Sequence, residues 1–500
     1  MRQIQSFLIS LFLFICVFPG YTQENEAVWS EEETDYTIYR IKTFGSLSTN
    51  GQTPFWITGN RYGIVPVAAN NGYLQAGLFH RQPLGGGWEW RAGLDMVACT
   101  PRYRSVYVQQ IYAALACRWL NLSIGSRSDY NYNQSLMNPV LSSGDMGISA
   151  NARPVPEVNL SIPRFIALPG TGGWLQSKGN FAVGRSFDTD YLHAFARPDQ
   201  YFIKDMLWHH KSLYLRIKDT KNNAPVSMTL GLRHIAQWGG ISSDPTADIR
   251  RQPQSLKDFI RIVLGKSGDE KATLSDRINV LGSHYGTYDF RLGYEKDKAS
   301  VFVYYQHFFD DASGMEFKNA GDGLKGIQID LPGFKYLNRI VLERLVTVNQ
   351  SGPFHFIEFD HNKYPGYGGG GDDYYNNGEY TSGHAYFNRS LGSPLLISPE
   401  YNTDGSLGFK HSRMYAWHLG TEGVLTNVVS YRLLVSAMES FGTPYVPTPA
   451  KRSDVSFTTD FHYRFRDSWL FSASFAADRG SLLGNHVGFG VSVAKRGLIR

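Results

Sequence analysis

The chain has 500 residues, a formal net charge of +5 and only 19% charged residues, and it is rich in aromatic residues and glycine. So mild a charge gives no reason to expect a nucleic-acid partner, and it suits an acidic polysaccharide or lipopolysaccharide without requiring one. A soluble secreted protein could share this composition, so the class of protein has to be inferred from the pattern of residues along the chain.

The N-terminus predicts a secretory signal peptide over residues 1–22. Met1-Arg2 is basic, residues 7–18 are almost wholly apolar, and a Pro-Gly pair then ends the apolar run. This run is too short to span a membrane, so we expect cleavage near Thr22 and one mature domain over 23–500. No later apolar run reaches about 18 residues, so a membrane-inserted form would have to cross the bilayer with strands.

The first predicted strands lie between residues 88 and 127. Trp88, Trp90 and Leu94 fall on one parity, and Arg91 and Asp95 fall on the other. Side chains of a strand alternate between its two faces, so this stretch has one apolar face and one polar face. Residues 106–119 and 121–127 follow with almost no linker, which predicts two more strands and a tight turn.

The two cysteines beyond the signal, Cys99 and Cys117, would lie on neighbouring strands. The turn near residues 100–104 pairs Cys99 with a residue near Val106. A disulfide would therefore need a different register, and we regard it as the less favoured alternative.

Residues 226–233 alternate in the same way and place Arg233 on the polar face. Arg91 and Arg464 share that parity on their own strands. An Arg that faces lipid at mid-membrane costs about 2–4 kcal/mol, so these residues should face a wet lumen. They either attract an acidic sugar or are neutralised by carboxylates such as Asp95 and Asp460, and we favour the second interpretation.

One stretch departs from the strand pattern, and we assign residues 244–288 to a helical insertion. Apolar residues recur at helical spacing after Ser255, a suitable N-cap, and the run ends at Gly265. A second short helix is predicted near Asp276. If the predicted strands close into a barrel, we expect these helices to plug or cap it.

Residues 360–388 form a long loop rich in Tyr, Gly, Asn and Asp. Tyrosine rings and adaptable hydrogen-bonding groups are typical of binding surfaces. The alternative is an extracellular loop that binds nothing. The loop contributes four of the candidate polysaccharide-binding residues: Tyr364, Tyr367, Tyr374 and Tyr375.

The C-terminal part of the chain gives the clearest strand signals. Residues 415–420, 455–465, 469–476 and 487–494 alternate bulky apolar residues with Gly, Ser, Thr or charged ones. A soluble sandwich would give the same alternation, but these lengths and aromatics favour a transmembrane barrel. The mature chain would accommodate about 16 to 18 strands at about 25 residues for each strand and its connection. Two further segments, 301–309 and 340–348, are apolar on both parities and cannot be oriented.

No catalytic or metal-binding motif emerges from the sequence. Gly265-Lys266-Ser267 lacks the earlier glycine of a phosphate-binding loop. His209 and His210 are adjacent and would point to opposite faces of a strand, and residues 310–314 lack the ligand spacing of a calcium loop. We therefore expect no enzymatic activity, no cofactor and no metal.

Several segments resemble the Wzi family of outer membrane capsule-assembly proteins. Their order and their spread over roughly residues 45–400 make the resemblance fairly specific. The segments are 53–63, 141–144, 151–156, 231–240, 279–284, 310–314, 350–353, 373–378 and 391–395.

The resemblance implies an all-β, antiparallel outer membrane barrel of about 18 strands whose one end is plugged by helices. It also implies lectin-like, non-enzymatic binding of capsular or exported polysaccharide. Two features depart from the family: no helical plug is evident before Tyr39, so residues 255–284 would have to supply it, and the chain ends at Arg500 instead of an aromatic residue.

The most distinctive cluster in the resembling segments is His234, Gln237 and Trp238, next to Arg233. The alternatives are sugar contact and packing at the barrel rim, and we favour packing. We nevertheless include all four residues among the candidate polysaccharide-binding residues.

We therefore predict a monomeric outer membrane barrel that binds capsular or extracellular polysaccharide and assists capsule assembly at the cell surface. Its other partners would be outer membrane lipid and lipopolysaccharide. A porin-like diffusion channel is the alternative function, and an outer membrane hydrolase ranks third.

Overall fold

The computed structural model describes residues 35–100, 103–128, 135–219, 224–351, 372–466 and 468–499. The predicted signal peptide, Tyr364 and Tyr367 therefore lie outside the described residues. Within these residues, 18 strands form one antiparallel sheet, in which each strand pairs with the next along the chain.

The strands follow one another as an up-and-down meander. Their bounds are β1 Tyr36–Ser48, β2 Asn71–Gly85, β3 Trp88–Thr100, β4 Val106–Cys117, β5 Leu120–Ser126, β6 Glu157–Ala167, β7 Leu175–Arg185, β8 Leu207–Lys218, β9 Val226–Trp238, β10 Ser283–Lys296, β11 Ala299–Phe309, β12 Gly323–Asp330, β13 Arg339–Val346, β14 Met414–Thr426, β15 Val429–Gly442, β16 Pro447–Phe465, β17 Trp469–Gly480 and β18 His486–Ile499.

In the described residues, five short α-helices lie in the connections: α1 Phe55–Thr58, α2 Thr189–Phe195, α3 Leu256–Leu264, α4 Leu274–Ile278 and α5 Ala312–Met315. In the described part of the chain, no helix combines the length and the apolar content needed to cross a bilayer.

The sheet closes because β1 also pairs with β18. The pairing runs from Thr37 opposite Ile499 to Ser48 opposite Gly488, so no strand edge stays open. The predicted antiparallel barrel and its count of 18 strands are confirmed.

The alternating faces point as the sequence predicts. In β18, Val487, Phe489 and Val491 are each about half exposed on the outside, whereas Gly488 and Gly490 face inward. The same division holds in β16 and β17. The barrel therefore carries an outer apolar belt that fits lipid, and the protein is an outer membrane β-barrel.

The two ends of the barrel differ in the length of their connections. Turns such as 86–87, 118–119 and 427–428 are short, and they share an end with residues 36 and 499. The opposite end carries every long connection. Since outer membrane barrels have short periplasmic turns and longer extracellular loops, we call the end with the long connections the extracellular end.

Parts of three connections fold back into the lumen: those between β1 and β2, between β5 and β6, and between β13 and β14. We call residues 135–156 and 372–413 the plug. The plug packs on inward-facing apolar side chains of the wall, including Tyr304, Phe308 and Val341. This contact explains why segments 301–309 and 340–348 are apolar on both faces: one face meets lipid and the other meets the plug.

The helical insertion is positioned differently from our expectation. Its helices begin and end as predicted, with Ser255 and Asp258 forming a capping box and Gly265 in the left-handed conformation at φ 60°. However, α3 lies on the outer wall at the extracellular rim, where Ile262 packs on the outward-facing Ala236 and Trp238. Residues 255–284 therefore do not plug the lumen as expected, since α3 lies outside it, and the plug fills the lumen instead.

Neither Cys99 nor Cys117 forms a disulfide within the described residues. Ala98 pairs with Val106, whereas Cys117 pairs with Trp88 at the other end of β3. The register predicted from the sequence is confirmed to within one residue, and it keeps the two thiols apart.

A charge placed on the outer belt should destabilise the barrel. Val491 lies near the middle of β18 and is 49% exposed. We expect Val491→Arg to lower the free energy of unfolding in lipid vesicles by about 2–4 kcal/mol, because the guanidinium would face hydrocarbon. Urea unfolding followed by tryptophan fluorescence measures this, with Val491→Leu as the control. Equal stability of the two variants would contradict a lipid-facing position.

Candidate functional site

A buried ion pair holds the plug to the wall. The Arg233 Nη1 donates to Asp145 Oδ1 at 2.8 Å, and neither side chain is more than 1% exposed. Arg233 also donates to the Tyr214 hydroxyl at 3.0 Å. Asp145 in turn accepts from Ser135 and from the backbone N–H of Gly147, so the charge fixes the local fold of the plug.

A second carboxylate anchors the same segment. Glu343 on β13 accepts hydrogen bonds from the hydroxyls of Ser142 and Ser143 and from the Ser143 N–H, at 2.5 to 2.7 Å. The Tyr304 hydroxyl on β11 also donates to Glu343. The plug turn at Ser142 and Ser143 is thus bound to Glu343, a wall carboxylate that the Tyr304 hydroxyl also contacts.

Several other lumen charges are paired as well. Asp95 accepts from Arg40, Asp460 pairs with Arg432 and Arg61, and Arg91 pairs with Glu89. The interpretation of neutralised lumen charges fits these contacts, although the partners of Arg91 and Arg233 are not the two carboxylates named from the sequence.

The predicted site residues on β9 separate onto two faces. Arg233 and Gln237 point into the lumen, where Gln237 donates to the Gly383 carbonyl of the plug at 3.1 Å. His234 and Trp238 point outward and lie beneath the helical insertion: the His234 and His284 rings are hydrogen bonded, and Trp238 stacks on Phe259. The structure therefore does not bring these four residues together at one surface.

Two candidate tyrosines of the predicted loop, Tyr374 and Tyr375, are described, and both are fully buried in the plug. The Tyr374 hydroxyl contacts Asn319 and Asp322, and the Tyr375 hydroxyl donates to the Met146 carbonyl. In this conformation neither ring offers a face to a polymer. Direct sugar contact by Tyr374 and Tyr375, as by Tyr364 and Tyr367, stays a prediction.

Aromatic rings and arginines instead converge at the extracellular end, where the plug meets the rim. We call Tyr103, Arg104, Tyr107, Arg153, Tyr191 and Phe387 the mouth cluster. They come from the β3–β4 connection, the start of β4, helix α2 and both segments of the plug.

The rings of the mouth cluster form a continuous series. The Tyr191 ring lies 5.7 Å from Tyr103 and 5.4 Å from Phe387, measured between centroids. The Arg153 guanidinium lies over Phe387 at 4.2 Å and over Tyr107 at 4.3 Å. Such contacts orient the rings and the cation before any ligand arrives.

The exposed edge of the cluster carries charge. Tyr103 is 43% exposed, and Arg104 lies over its ring at 5.5 Å. The Arg104 Nη2 also donates to Asp190 Oδ2 at 2.8 Å, and both of these side chains are mostly exposed. The edge therefore offers an aromatic face beside a cation and a carboxylate.

Phe387 is presented by a tight hairpin of the plug. Ala385–Tyr386 pairs with Arg389–Ser390, and the turn residues Phe387 and Asn388 have φ values of 51° and 55°. Both values lie in the left-handed region, which non-glycine residues adopt at a cost. Turns of this kind ordinarily contain Asn-Gly, whereas this hairpin places the large ring of Phe387 at the first turn position.

A buried carboxyl supports this hairpin. Asp188 accepts a hydrogen bond from the Phe387 N–H at 3.1 Å and is only 4% exposed. Burial raises the pKa of Asp188 from 3.8 to about 6, which the hydrogen bond from Phe387 only partly offsets.

Sequence reasoning missed the mouth cluster, although weak signals for it existed. Arg153 lies in the segment 151–156 that carries the resemblance, and Tyr103-Arg104 lies in the turn predicted near residues 100–104. No local pattern indicates that these residues meet Phe387. That juxtaposition is produced by the folding of the plug.

One group of carboxylates among the described residues has the spacing of a metal site. Oxygen atoms of Asp310, Asp311 and Asp372 lie within 4.8 Å of one another. Burial, and then the charge of Asp372, raise the pKa of Asp310 well above its ordinary value. Hydroxyls of Ser313 and Ser351 donate to Asp372, so the group also serves to join α5 to the plug.

The fold and the lumen contacts define a class: an outer membrane β-barrel with a plug bound inside it. Comparison with known proteins agrees with this class at the level of the fold. No protein-family model and no curated protein sequence matches the chain.

Solved structures do match. Wzi of Escherichia coli, described as a carbohydrate-binding β-barrel involved in group 1 capsule assembly, is 12% identical, with a TM-score of 0.55 over 91% of this chain and 83% of that one. OccAB2 of Acinetobacter baumannii is 9% identical, with a TM-score of 0.48 over 93% and 98%. OccK5 of Pseudomonas aeruginosa is 10% identical, with a TM-score of 0.45 over 94% and 99%. At these identities the likeness to Wzi shows a shared barrel fold.

The ion pair of the plug gives a stability prediction. We expect Asp145→Asn to lower the free energy of unfolding by about 3–5 kcal/mol, because it leaves the Arg233 charge buried without its carboxylate. The double variant Arg233→Met/Asp145→Asn should lose less. Asp190→Asn, which breaks the exposed pair with Arg104, should cost about 1 kcal/mol at most. Denaturant unfolding distinguishes the three variants, and equal losses for the single and double variants would contradict the pairing.

Asp188 gives a pH prediction. Its folded pKa of about 6 exceeds its ordinary value of 3.8, so its contribution to stability is full below pH 4 and is lost as pH rises through 6. Asp188→Asn stays neutral and should stabilise the fold at pH 7.5, by at most about 3 kcal/mol. Hydrogen exchange of residues 385–390 measures the effect, and the same comparison at pH 4 is the control. A difference that is equal at both pH values would contradict the raised pKa.

Proposed function

We propose that this protein is a non-catalytic outer membrane barrel that binds an acidic capsular or exported polysaccharide and holds it at the cell surface. The observation that carries the proposal is the mouth cluster, a preorganised series of rings and guanidinium groups at the extracellular end. The predicted polysaccharide and lipopolysaccharide partners both fit this chemistry.

The chemistry of the cluster suits sugars. Aromatic rings such as Tyr103 present a flat apolar face, on which the C–H face of a sugar ring can stack, and a polar hydroxyl. Arg104 can donate two parallel hydrogen bonds to a carboxylate of an acidic sugar. Because the rings already contact one another, binding would order few side chains, which favours affinity.

The plug supports binding over transport. Its two segments cross the lumen, where the Arg233–Asp145 pair and Glu343 hold the first segment and Gln237 donates to the Gly383 carbonyl of the second. A diffusion channel would need a continuous water-filled path along the same lumen. We therefore rank the porin-like function second.

A hydrolase is supported least. Glycoside hydrolysis uses two carboxyl groups that flank the scissile bond. Of the carboxyl groups described at the mouth, Asp190 is held by Arg104 and Asp188 is buried beneath Phe387. This arrangement favours a binding role.

The likeness to Wzi accords with the proposal without carrying it. Wzi is described as carbohydrate binding and as involved in capsule assembly. The same role here is a proposal that rests on the mouth cluster and on the resembling segments of the sequence.

Loss of one ring from the cluster should weaken binding. We expect Tyr103→Ala and Phe387→Ala each to lower the affinity for an acidic polysaccharide at least about fivefold, equivalent to about 1 kcal/mol, as for central aromatic anchors of interfaces. Isothermal titration of detergent-solubilised protein measures the affinity. Tyr445→Ala is the matched control, because Tyr445 is 72% exposed in the separate β15–β16 connection.

The role of charge is separable in the same assay. Arg104→Gln should weaken binding of the acidic polymer and reduce its dependence on salt, while binding of a neutral polymer changes little. Unchanged affinity in all three cluster variants, or an equal loss in Tyr445→Ala, would remove the mouth cluster as the binding site.

The cellular role and the channel alternative are tested together. Deletion of the gene should release polysaccharide into the medium while synthesis continues, and purified protein should pass little current in a planar bilayer. Retention of polymer at wild-type levels would overturn the proposed role. Steady porin-like conductance would favour the diffusion channel.

A further inference from the structure

The helical insertion leaves an apolar stripe that no described part of the protein covers. Leu256, Ile260 and Leu264 of α3 are 75%, 52% and 59% exposed, and Leu274 at the start of α4 is 67% exposed. Residues at i, i+4 and i+8 share one side of a helix, so the three α3 residues form a line along its axis.

The direction in which the stripe faces follows from the residues on the other two sides of α3. Phe259 and Ile262 face the barrel, where Phe259 contacts Phe181 and Trp238. Lys257 and Arg261 lie on the remaining side, where both pair with Asp269, and Lys257 is 72% exposed. At 100° per residue the exposed apolar stripe lies between the side that packs on the barrel and this charged side.

The position of α3 on the barrel makes this stripe continuous with the lipid-facing belt. Phe181, which contacts Phe259, is itself 41% exposed on the outer wall. On the next two strands, β8 and β9, the next outward residues toward the periplasm are Leu213 and Leu232, which are 54% and 41% exposed. The helix α3 therefore lies at the extracellular edge of the lipid-facing belt.

The helix is held firmly to the wall at this level. The Lys211 ammonium, which points outward from β8, donates to the Val263 carbonyl in the last turn of α3. This contact satisfies one of the carbonyls that a helix end leaves unpaired. Together with the capping box at Ser255, it defines both ends of a helix that has no other neighbour on its exposed side in the described residues.

We propose that α3 and the start of α4 lie in the outer leaflet of the outer membrane as an interfacial anchor. Leu256, Ile260, Leu264 and Leu274 enter the boundary between acyl chains and headgroups, and the charged side with Lys257, Arg261 and Asp269 faces the headgroups. A helix with an apolar side, a charged side and its axis along the membrane plane is the arrangement that binds lipid surfaces. The anchor gives the barrel a fixed depth and tilt, independently of polysaccharide binding.

Site-specific fluorescence measures the environment of the stripe. The full-length protein is reconstituted into phosphatidylethanolamine and phosphatidylglycerol vesicles, with Cys99 and Cys117 replaced by Ser and one cysteine introduced for an environment-sensitive dye. The test position is Ile260→Cys. Leu215→Cys reports the lipid-facing belt, and Lys410→Cys, whose side chain is 45% exposed, reports a water-exposed part of the plug.

We expect quenching of the dye at position 260 by doxyl-labelled lipid to resemble that at 215 and to exceed that at 410 by about threefold or more, with the reverse order for aqueous iodide. Greater quenching at position 260 by iodide than by lipid would overturn the proposal. Protection from both quenchers would also overturn it, since a protein surface such as a second copy of the chain would then cover the stripe.

A substitution pair supplies an independent measurement. Ile260→Asp and Lys257→Asp both alter exposed side chains of one helix, so each variant keeps the folded barrel. Ile260→Asp should lower the thermal unfolding midpoint in vesicles more than Lys257→Asp, because only the former places a charge among acyl chains. Equal midpoints would contradict burial of the stripe in lipid.

Discussion

In a hydrocarbon layer every backbone N–H and C=O must find a partner within the protein, and the rest of this structure depends on that constraint. The pairing of β1 with β18 satisfies it, since closure leaves no free edge. Closure also creates two chemically different surfaces from one sheet. The outer surface must be apolar, whereas the inner one can carry charged residues such as Arg233 because they face partners instead of lipid.

The polar interior makes the plug possible and fixes its position. Carboxylates and guanidinium groups buried without partners are costly, so Asp145 and Glu343 are used to join wall and plug. The same contacts position the extracellular surface. Arg153 and Phe387 belong to the two plug segments, whereas Tyr103 and Tyr191 belong to the rim. The mouth cluster therefore exists only where an anchored plug meets the barrel.

The extracellular end thus presents two surfaces with different chemistry. The mouth cluster combines half-buried rings with cations, which suits a polar, ring-shaped ligand such as an acidic sugar. The stripe of α3 is apolar with a charged border, which suits a lipid leaflet. An anchor beside the mouth would hold the cluster at a constant height above the membrane, where polymer at the cell surface would reach it.

The sequence alone determined the features that depend on neighbours along the chain. Alternation in 487–494 sets which side chains face lipid, and Ser255 and Gly265 set the ends of α3, because strand faces and helix caps are local properties. The positions of the plug and of the residues in the mouth cluster were decided only by the tertiary structure. Tyr374 and Tyr375 belong to a segment with the composition of an exposed loop, yet long-range hydrogen bonds to Asp322 and Met146 bury them. Contacts between residues so far apart in the chain leave no periodic signal, so only folding could place Arg153 over Phe387.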